Sequence, residues 1–423
     1  MWCLSTIFCL AMSHSTINYQ RISLLIFGLV TVIAIWNFFN QKPPQPIRIG
    51  VLHSLTGTMA ISEKPLVDAV RLAVNEINAR GVFKQPLEMV IADGQSNPTI
   101  FAKEAERLIT QENVNVIFGC WTSASRKAVK PIVEKYNHLL FYPVQYEGLE
   151  QSPNIIYTGS APNQQIVPAV RWALKNLGHR VYLLGSDYIF PRTANRIMKD
   201  FIRVANGTLL AERYLPLDSD GVDNIVQEIE KLKPDVILNT INGNSNAYFF
   251  KALSQSSVKE TPVLSFSVGE NELNHYPALA THYAAWSYFQ SIDSPTNQRF
   301  IENYRQLVGD TNRVTSDPIE AAYFSVYLWA QAVNDANSFT PENVNISILQ
   351  QSFHAPSGII SIDKKTRHTW KMLRIGQAQP DGQFKEVYNS QFPIRPEPFP
   401  DYHTKPEWAE IVNSLNNGKS THD

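Results

Sequence analysis

Cysteine is scarce in this chain: three residues in 423, of which Cys3 and Cys9 fall in the extreme N-terminal segment. Cys120 stands alone in the body, so no disulfide can form within it. No CxxC pair or His/Cys cluster offers a metal site. An excess of one charge is also lacking. Lys+Arg number 37 and Asp+Glu 38, for a net charge of -1. That balance gives no electrostatic case for a nucleic-acid partner or for steering a strongly charged solute. There is no G-x-S-x-G elbow and no G-x-x-x-x-G-K-[ST] loop. No GxGxxG follows the first predicted strand, whose turn reads HSLTGTM (53–59). His53 in that turn reads as a satisfied turn histidine more readily than as a ligand contact. Ser, His and Asp are scattered without a nucleophilic arrangement. Triads assemble in space, but nothing here argues for an enzyme or a cofactor.

What is present is apolar sequence, 44% of the chain, enough for two or more packed domains. Residues Ile22–Phe39 form an almost wholly apolar run, preceded by Arg21 and followed by the Pro-rich QKPPQP. No A-x-A site and no cysteine lies just after it. An uncleaved signal-anchor is the expectation, with the body on the periplasmic side of the cytoplasmic membrane; cleavage would instead release the body. From Ile47 onward, strands and helices alternate. Strands are predicted at 47–52, 87–93, 114–118 and 139–142, with helices at 66–81, 98–111 and after Thr122 or Ser123. The theme restarts near 160, with strands at 180–185, 208–216, 235–240 and 262–267 separated by helices. Such βαβ units imply parallel sheets. The doubled pattern implies two similar lobes facing each other. The longest clean helix is 316–336, with Asp317 as its cap, Pro318 at N1 and Glu320 completing a capping box. Short strands are expected at 359–362 and 372–375, and the Pro- and aromatic-rich tail after Gln391 as an extended strap.

In open parallel sheets, ligands lie beyond the carboxyl ends of the strands. The stretch Phe118–Glu150 supplies two such ends, whose loops carry Trp121, Thr122, Ser123, Tyr142 and Tyr146. A helix N-terminus there adds free N–H donors. Read on spacing alone, an ordinary βα turn with core aromatics fits equally well. The second lobe's strand ends offer Asp187, Tyr188, Phe190, Thr240, Asn242 and Glu270.

The segment GCWTSASRKAVKPIVEKYNHLLFYPVQYEGLEQSPNIIYTGSAPNQQ closely resembles the urea-binding receptors of ABC transporters, and is also similar to the short-chain amide sensors of amidase operons. GSDYIFPR and IRPEPFP resemble the same group, and the likeness runs from about Ile47 to Trp408. FYPVQYEGLE and SVGENE look more like the urea receptors. The resemblance implies a type I periplasmic-binding-protein fold: α/β, two doubly wound Rossmann-like lobes joined by a three-crossing hinge, with the ligand between them. It implies a first lobe of residues 47–160 plus 287–354 and a second of 161–286 plus 355–390. Residues 1–46 precede these as anchor and linker, and 391–423 follow as the strap. It further implies that Ser123 and neighbouring N–H groups meet a ligand carbonyl, with Tyr142 and the Val144 backbone as further contacts. Trp121 flanks the pocket, Tyr188 covers the ligand, and Glu270 accepts from an amino group. The implied partners are urea or a small amide and the subunits of an ABC permease. A membrane-anchored sensor of urea or short amides, acting through a separate partner, is the alternative; an amide hydrolase is the enzymatic one. Glu270 also reads as a helix-start carboxylate.

Overall fold

The structure is a computed structural model that describes residues 45–273, 275 and 281–416, with positions 23, 24, 26–28 and 31. The run Ile22–Phe39, expected as an anchor, lies largely outside the described residues. Among the described residues, no helix is long and apolar enough to cross a membrane.

The first sheet contains β1 (Ile47–His53), β2 (Leu87–Asp93), β3 (Ile117–Gly119), β4 (Leu140–Tyr142) and β5 (Ile155–Tyr157). Its order is β2-β1-β3-β4-β5, with every neighbouring pair parallel. Helices α1 (Ala60–Ala79), α2 (Pro98–Thr110) and α3 (Ser123–Lys135) connect its strands. The chain then enters a second sheet by α4 (Ile166–Asn176), β6 (Arg180–Ser186), α5 (Ile189–Val204) and β7 (Thr208–Leu215). It continues through α6 (Asp223–Leu232), β8 (Val236–Thr240), α7 (Ser245–Ser254), β9 (Val263–Ser265), α8 (Glu270–Leu273) and β10 (His282–Trp286). It returns to the first lobe with α9 (Pro295–Val308), α10 (Asp317–Ala336), α11 (Pro341–Ser347) and the hairpin β11 (Ser352–Ala355)–β12 (Gly358–Ser361). It finally crosses back to add β13 (Arg374–Ala378), antiparallel to β10, and β14 (Phe384–Asn389) at the edge. The second sheet runs β14-β13-β10-β9-β8-β6-β7.

The three crossings lie at 158–165, 287–294 and 362–373. The third comes later than the 354/355 boundary that the sequence suggested. Ile360 and Ile362 are buried in the first lobe's core, and Phe353 stacks on Tyr327 of α10 at 4.7 Å, so the hairpin belongs to that lobe. Helix α10 is apolar on nearly every face and is accordingly buried, with Trp329 edge-on to Phe118 of β3. Its start departs from the expected capping box. Asp317 accepts the N–H (2.9 Å) and the hydroxyl of Ser287 and pairs with Lys371 at 3.3 Å. Glu320 accepts the Ser357 N–H at 2.8 Å. Asp317 therefore holds the second and third crossings and Glu320 the turn of the β11–β12 hairpin, instead of capping their own helix.

After β14 the chain runs as a strap and ends in α12 (Lys405–Asn416). Trp408 is fully buried in the second lobe's core, and its indole N–H donates to the Pro400 carbonyl at 2.9 Å.

Candidate functional site

Beyond β3 the chain turns abruptly. A Cβ at Gly119 would lie 2.2 Å from the Leu52 carbonyl oxygen, and Cys120 takes a left-handed φ of 67°. Thr122 then caps α3, its hydroxyl accepting the Ser125 N–H at 3.1 Å. The first turn of α3 thus lies at the strand ends, as expected. Its Ser123, however, is engaged from within the protein. The Ser123 hydroxyl donates to Glu147 and accepts from Arg126 Nη1 at 3.0 Å. Arg126 also donates to Glu147 (3.1 Å) and Glu150 (3.0 Å), and its guanidinium lies over Tyr142 (4.8 Å) and Tyr146 (4.4 Å). Arg126 and both carboxylates are buried. Taking one such ion alone out of water costs several kcal/mol, and only a paired, hydrogen-bonded set offsets that. Burial pushes the Glu150 carboxyl up, but Arg126 and Lys127 outweigh it and bring it down to about 2.

This cluster reaches the third crossing. Tyr157 donates to Glu150 at 2.9 Å and stacks on His368 at 4.2 Å, and Tyr146 meets His368 Nε2 at 2.5 Å. Burial lowers the His368 pKa to about 3, so the imidazole is neutral. None of Arg126, Glu147, Glu150 and His368 was singled out as a site residue from sequence. The Ser123–Arg126 spacing of one helical turn was visible, but which carboxylates would meet it depends on the loop path.

Of the six residues expected at the site, only Tyr188 lines the cavity between the lobes; Trp121 and Tyr142 meet beside it, and Ser123, Val144 and Glu270 are held elsewhere. The Tyr142 hydroxyl donates to the Trp121 carbonyl at 2.6 Å. Tyr188 comes from the second lobe, at the start of α5. Burial raises its phenol well above the ordinary range, with Tyr142, Glu147 and Arg126 close by. Val144 packs against the first crossing instead: a Cβ at Gly159 would come within 2.0 Å of its carbonyl. Glu270 is fully buried and accepts the Gln290 N–H of the second crossing at 2.7 Å. It shares no hydrogen-bond partner with Ser123. Burial raises its pKa to about 8, with Glu272 and Asp317 adding to the rise. The hinge, rather than the strand-end loops around Ser123, holds its carboxyl.

A cavity of about 70 Å³ lies between the lobes. Met59, Glu63, Ser96, Phe101, Thr122 and Ser125 line it from the first lobe, Tyr188 and Leu217 from the second. Glu63 was missed because Pro65 reads as a helix start, placing it in a loop; α1 begins at Ala60, with Pro65 inside. Its Oε2 accepts the Ser54 N–H at 2.8 Å and lies 3.2 Å from Nδ1 of His53, which is buried at the end of β1. The lobes also touch directly. Ser62 donates to Glu272 at 2.7 Å, and Gln145 to the Phe266 carbonyl at 2.8 Å. A larger groove, about 800 Å³, opens beside the second crossing, lined by Gln290, Arg305, Arg374 and Gln383 among others. Gln290 donates to Gln383 at 2.9 Å, and Arg374 contacts Glu386 at 2.8 Å, so its polar groups are largely paired with one another. The small cavity is the better candidate, because strand-end loops of both lobes bound it.

Two doubly wound lobes, three crossings and a small cavity between facing strand ends describe a receptor that encloses a solute. The family model described as "Periplasmic binding protein domain" matches residues 47–405. The chain belongs to this periplasmic binding protein family. It is a binding protein and not an enzyme. It is 22% identical over 332 residues to the Leu/Ile/Val-binding protein homolog 6 of Brucella melitensis, covering 76% of this chain and 85% of that one. Among solved structures it is similar to an ABC-transporter solute-binding protein of R. palustris in complex with 4-hydroxybenzoate. There the TM-score is 0.72 and the identity 22%, with 82% of this chain and 97% of that one covered. A leucine-binding protein of Thermotoga maritima gives a TM-score of 0.72 at 19% identity, with coverage of 81% and 98%. At these identities the solved structures speak to the fold alone.

Proposed function

We propose that this protein is the solute receptor of an ABC importer, acting on the periplasmic side of the membrane, and that its solute is urea or an amide of similar size. The observation that carries this reading is the cavity of about 70 Å³ between the strand-end loops of both lobes. That is far below the roughly 300–1,000 Å³ of pockets for drug-sized ligands. Urea is small and neutral, with four N–H donors and one carbonyl acceptor. In a dry site each unpaired polar group costs about 1–3 kcal/mol. The Glu63 carboxyl and the Thr122 and Ser125 hydroxyls offer partners, and the Tyr188 and Phe101 rings bound the space. The resemblance of the 119–165 segment to urea receptors points the same way. A solute that binds only the folded state stabilises it by RT ln(1 + [L]/Kd), about 2.7 kcal/mol at 100 times Kd. Thermal unfolding over millimolar urea, paired with titration calorimetry, should show a saturating rise in melting temperature. A flat response in both would remove urea; a rise with acetamide alone would move the assignment to amides.

A further inference from the structure

We propose that Glu63 is the specificity-determining residue of the inter-lobe cavity, restricting it to solutes that present N–H donors, whether neutral or cationic, and excluding carboxylates. The inference rests on the reading that the solute occupies this cavity. Glu63 lines it from the start of α1 with a side chain only 1% exposed. One carboxyl oxygen is fixed by the Ser54 N–H and the His53 ring. The other takes no hydrogen bond from the described residues, so an acceptor is held rigidly at the cavity wall with one oxygen to offer. Behind it, His53 is fully buried, and its Nε2 has no partner among the described residues.

The charge balance of the site points in the same direction. Neither Lys nor Arg lines the cavity. Arg126, the buried cation at this edge, directs its guanidinium to Ser123, Glu147 and Glu150. A solute carboxylate entering here would meet Glu63 with no uncommitted cation to offset the repulsion, and like charges at close range in a poorly solvated site are strongly unfavourable. A planar N–H donor gains a charge-assisted hydrogen bond instead. Guanidinium shares urea's shape and replaces its acceptor with a further donor, so the same cavity takes it as well.

The test is calorimetry on the full chain with urea, guanidinium at low millimolar concentration, and acetate. The wild type is expected to bind urea and guanidinium but not acetate. Glu63→Gln, which puts a donor NH₂ where an acceptor oxygen stood, should weaken both by roughly tenfold to a hundredfold, guanidinium the more. Urea binding unchanged in Glu63→Gln would overturn the proposal while leaving the urea reading intact. Guanidinium binding without urea binding would overturn the urea reading and support the role of Glu63. Acetate binding as tight as urea, or no binding of either N–H donor, would overturn the proposal outright. If Glu63→Gln fails to fold, the wild-type order of the three solutes decides alone.

Discussion

Glu270 shows how the surroundings of a single carboxyl decide its role. Its Oε1 takes the Gln290 N–H, its Oε2 has no partner among the described residues, and burial lifts its pKa to about 8. A carboxyl with that pKa is mostly protonated at neutral pH, and glutamine is its near-isostere. The raised value also fixes the sign of a pH dependence. Unfolded, the group loses its proton in the ordinary carboxylate range; folded, it keeps the proton up to about pH 8. Between those limits the folded state binds more protons, so stability is fully present below the ordinary range and declines as pH rises, by up to about 1.4 kcal/mol per unit. Glu320, raised by burial to about 7, acts in the same sense over a narrower window. Glu270→Gln should therefore flatten the decline, matching the wild type near pH 4 and exceeding it by a margin that grows up to about pH 8, with urea affinity unchanged. Melting curves across that range, with a urea titration at one pH, check both parts. A variant that weakens urea binding as strongly as Glu63→Gln would return Glu270 to the solute.

At the scale of elements, the strap and α12 are tied to the body by hydrogen bonds and by one buried aromatic. Trp408 is wholly buried in the second lobe's core, beside α5, and His403 reaches Asp200 of that helix at 2.9 Å. The strap meanwhile donates no slack to the cleft loop, since the Leu149 N–H bonds to the Pro398 carbonyl at 2.8 Å. Removing a fully buried aromatic costs roughly 3–5 kcal/mol. Trp408→Ala should lower the melting temperature clearly and leave urea affinity within about twofold, since Trp408 does not line the cavity; thermal unfolding and calorimetry on one sample check it. Elements of this kind were readable from the sequence to differing degrees. Apolar strands bounded by glycine and helices with 3.6-residue periodicity were legible, whereas the tail expected as an extended strap forms helix α12 over Lys405–Asn416. The short strands β5 and β10, and helix α9, were passed over; β5 spans only Ile155–Tyr157, too little for an alternating pattern to register. The start of α1 was hidden by Pro65 and that of α10 was misread, because Asp317 and Glu320 look like caps in sequence and bind distant backbone in space. Ser123, Tyr142 and Tyr188 were legible as strand-end residues. The Arg126–Glu147–Glu150 set was not, because buried ion pairs are fixed by tertiary distance and leave no period in the chain.

Across the whole molecule, the lobes meet through polar contacts of individual side chains. The Ser62–Glu272 bond joins α1 to α8 directly across the cleft at 2.7 Å. Glu272 is otherwise satisfied by the Gly269 N–H and Asn271. A ligand binding only the closed state has its apparent affinity reduced by the fraction of molecules that are closed. Ser62→Ala leaves the cavity lining intact and removes one closing contact worth about 1 kcal/mol, so urea binding should weaken roughly fivefold. Small-angle scattering should then show a larger radius of gyration in the ligand-free variant, converging with the wild type at saturating urea. Equal curves without ligand would mean that this bond does not set the closure equilibrium.

The three crossings also govern when the protein can fold. The first lobe's core includes Trp329 of α10 and Ile362, far along the chain from β1. The second lobe's sheet is finished only by β13 and β14, and its core is sealed by Trp408. A ribosome or translocase delivering this chain from its N-terminus therefore releases two incomplete half-cores in succession; the first cannot close until Ile362 has emerged, nor the second until Trp408 has. Such long-range closure slows folding. The first lobe can therefore close while the last part of the chain is still being delivered, and the second lobe follows it.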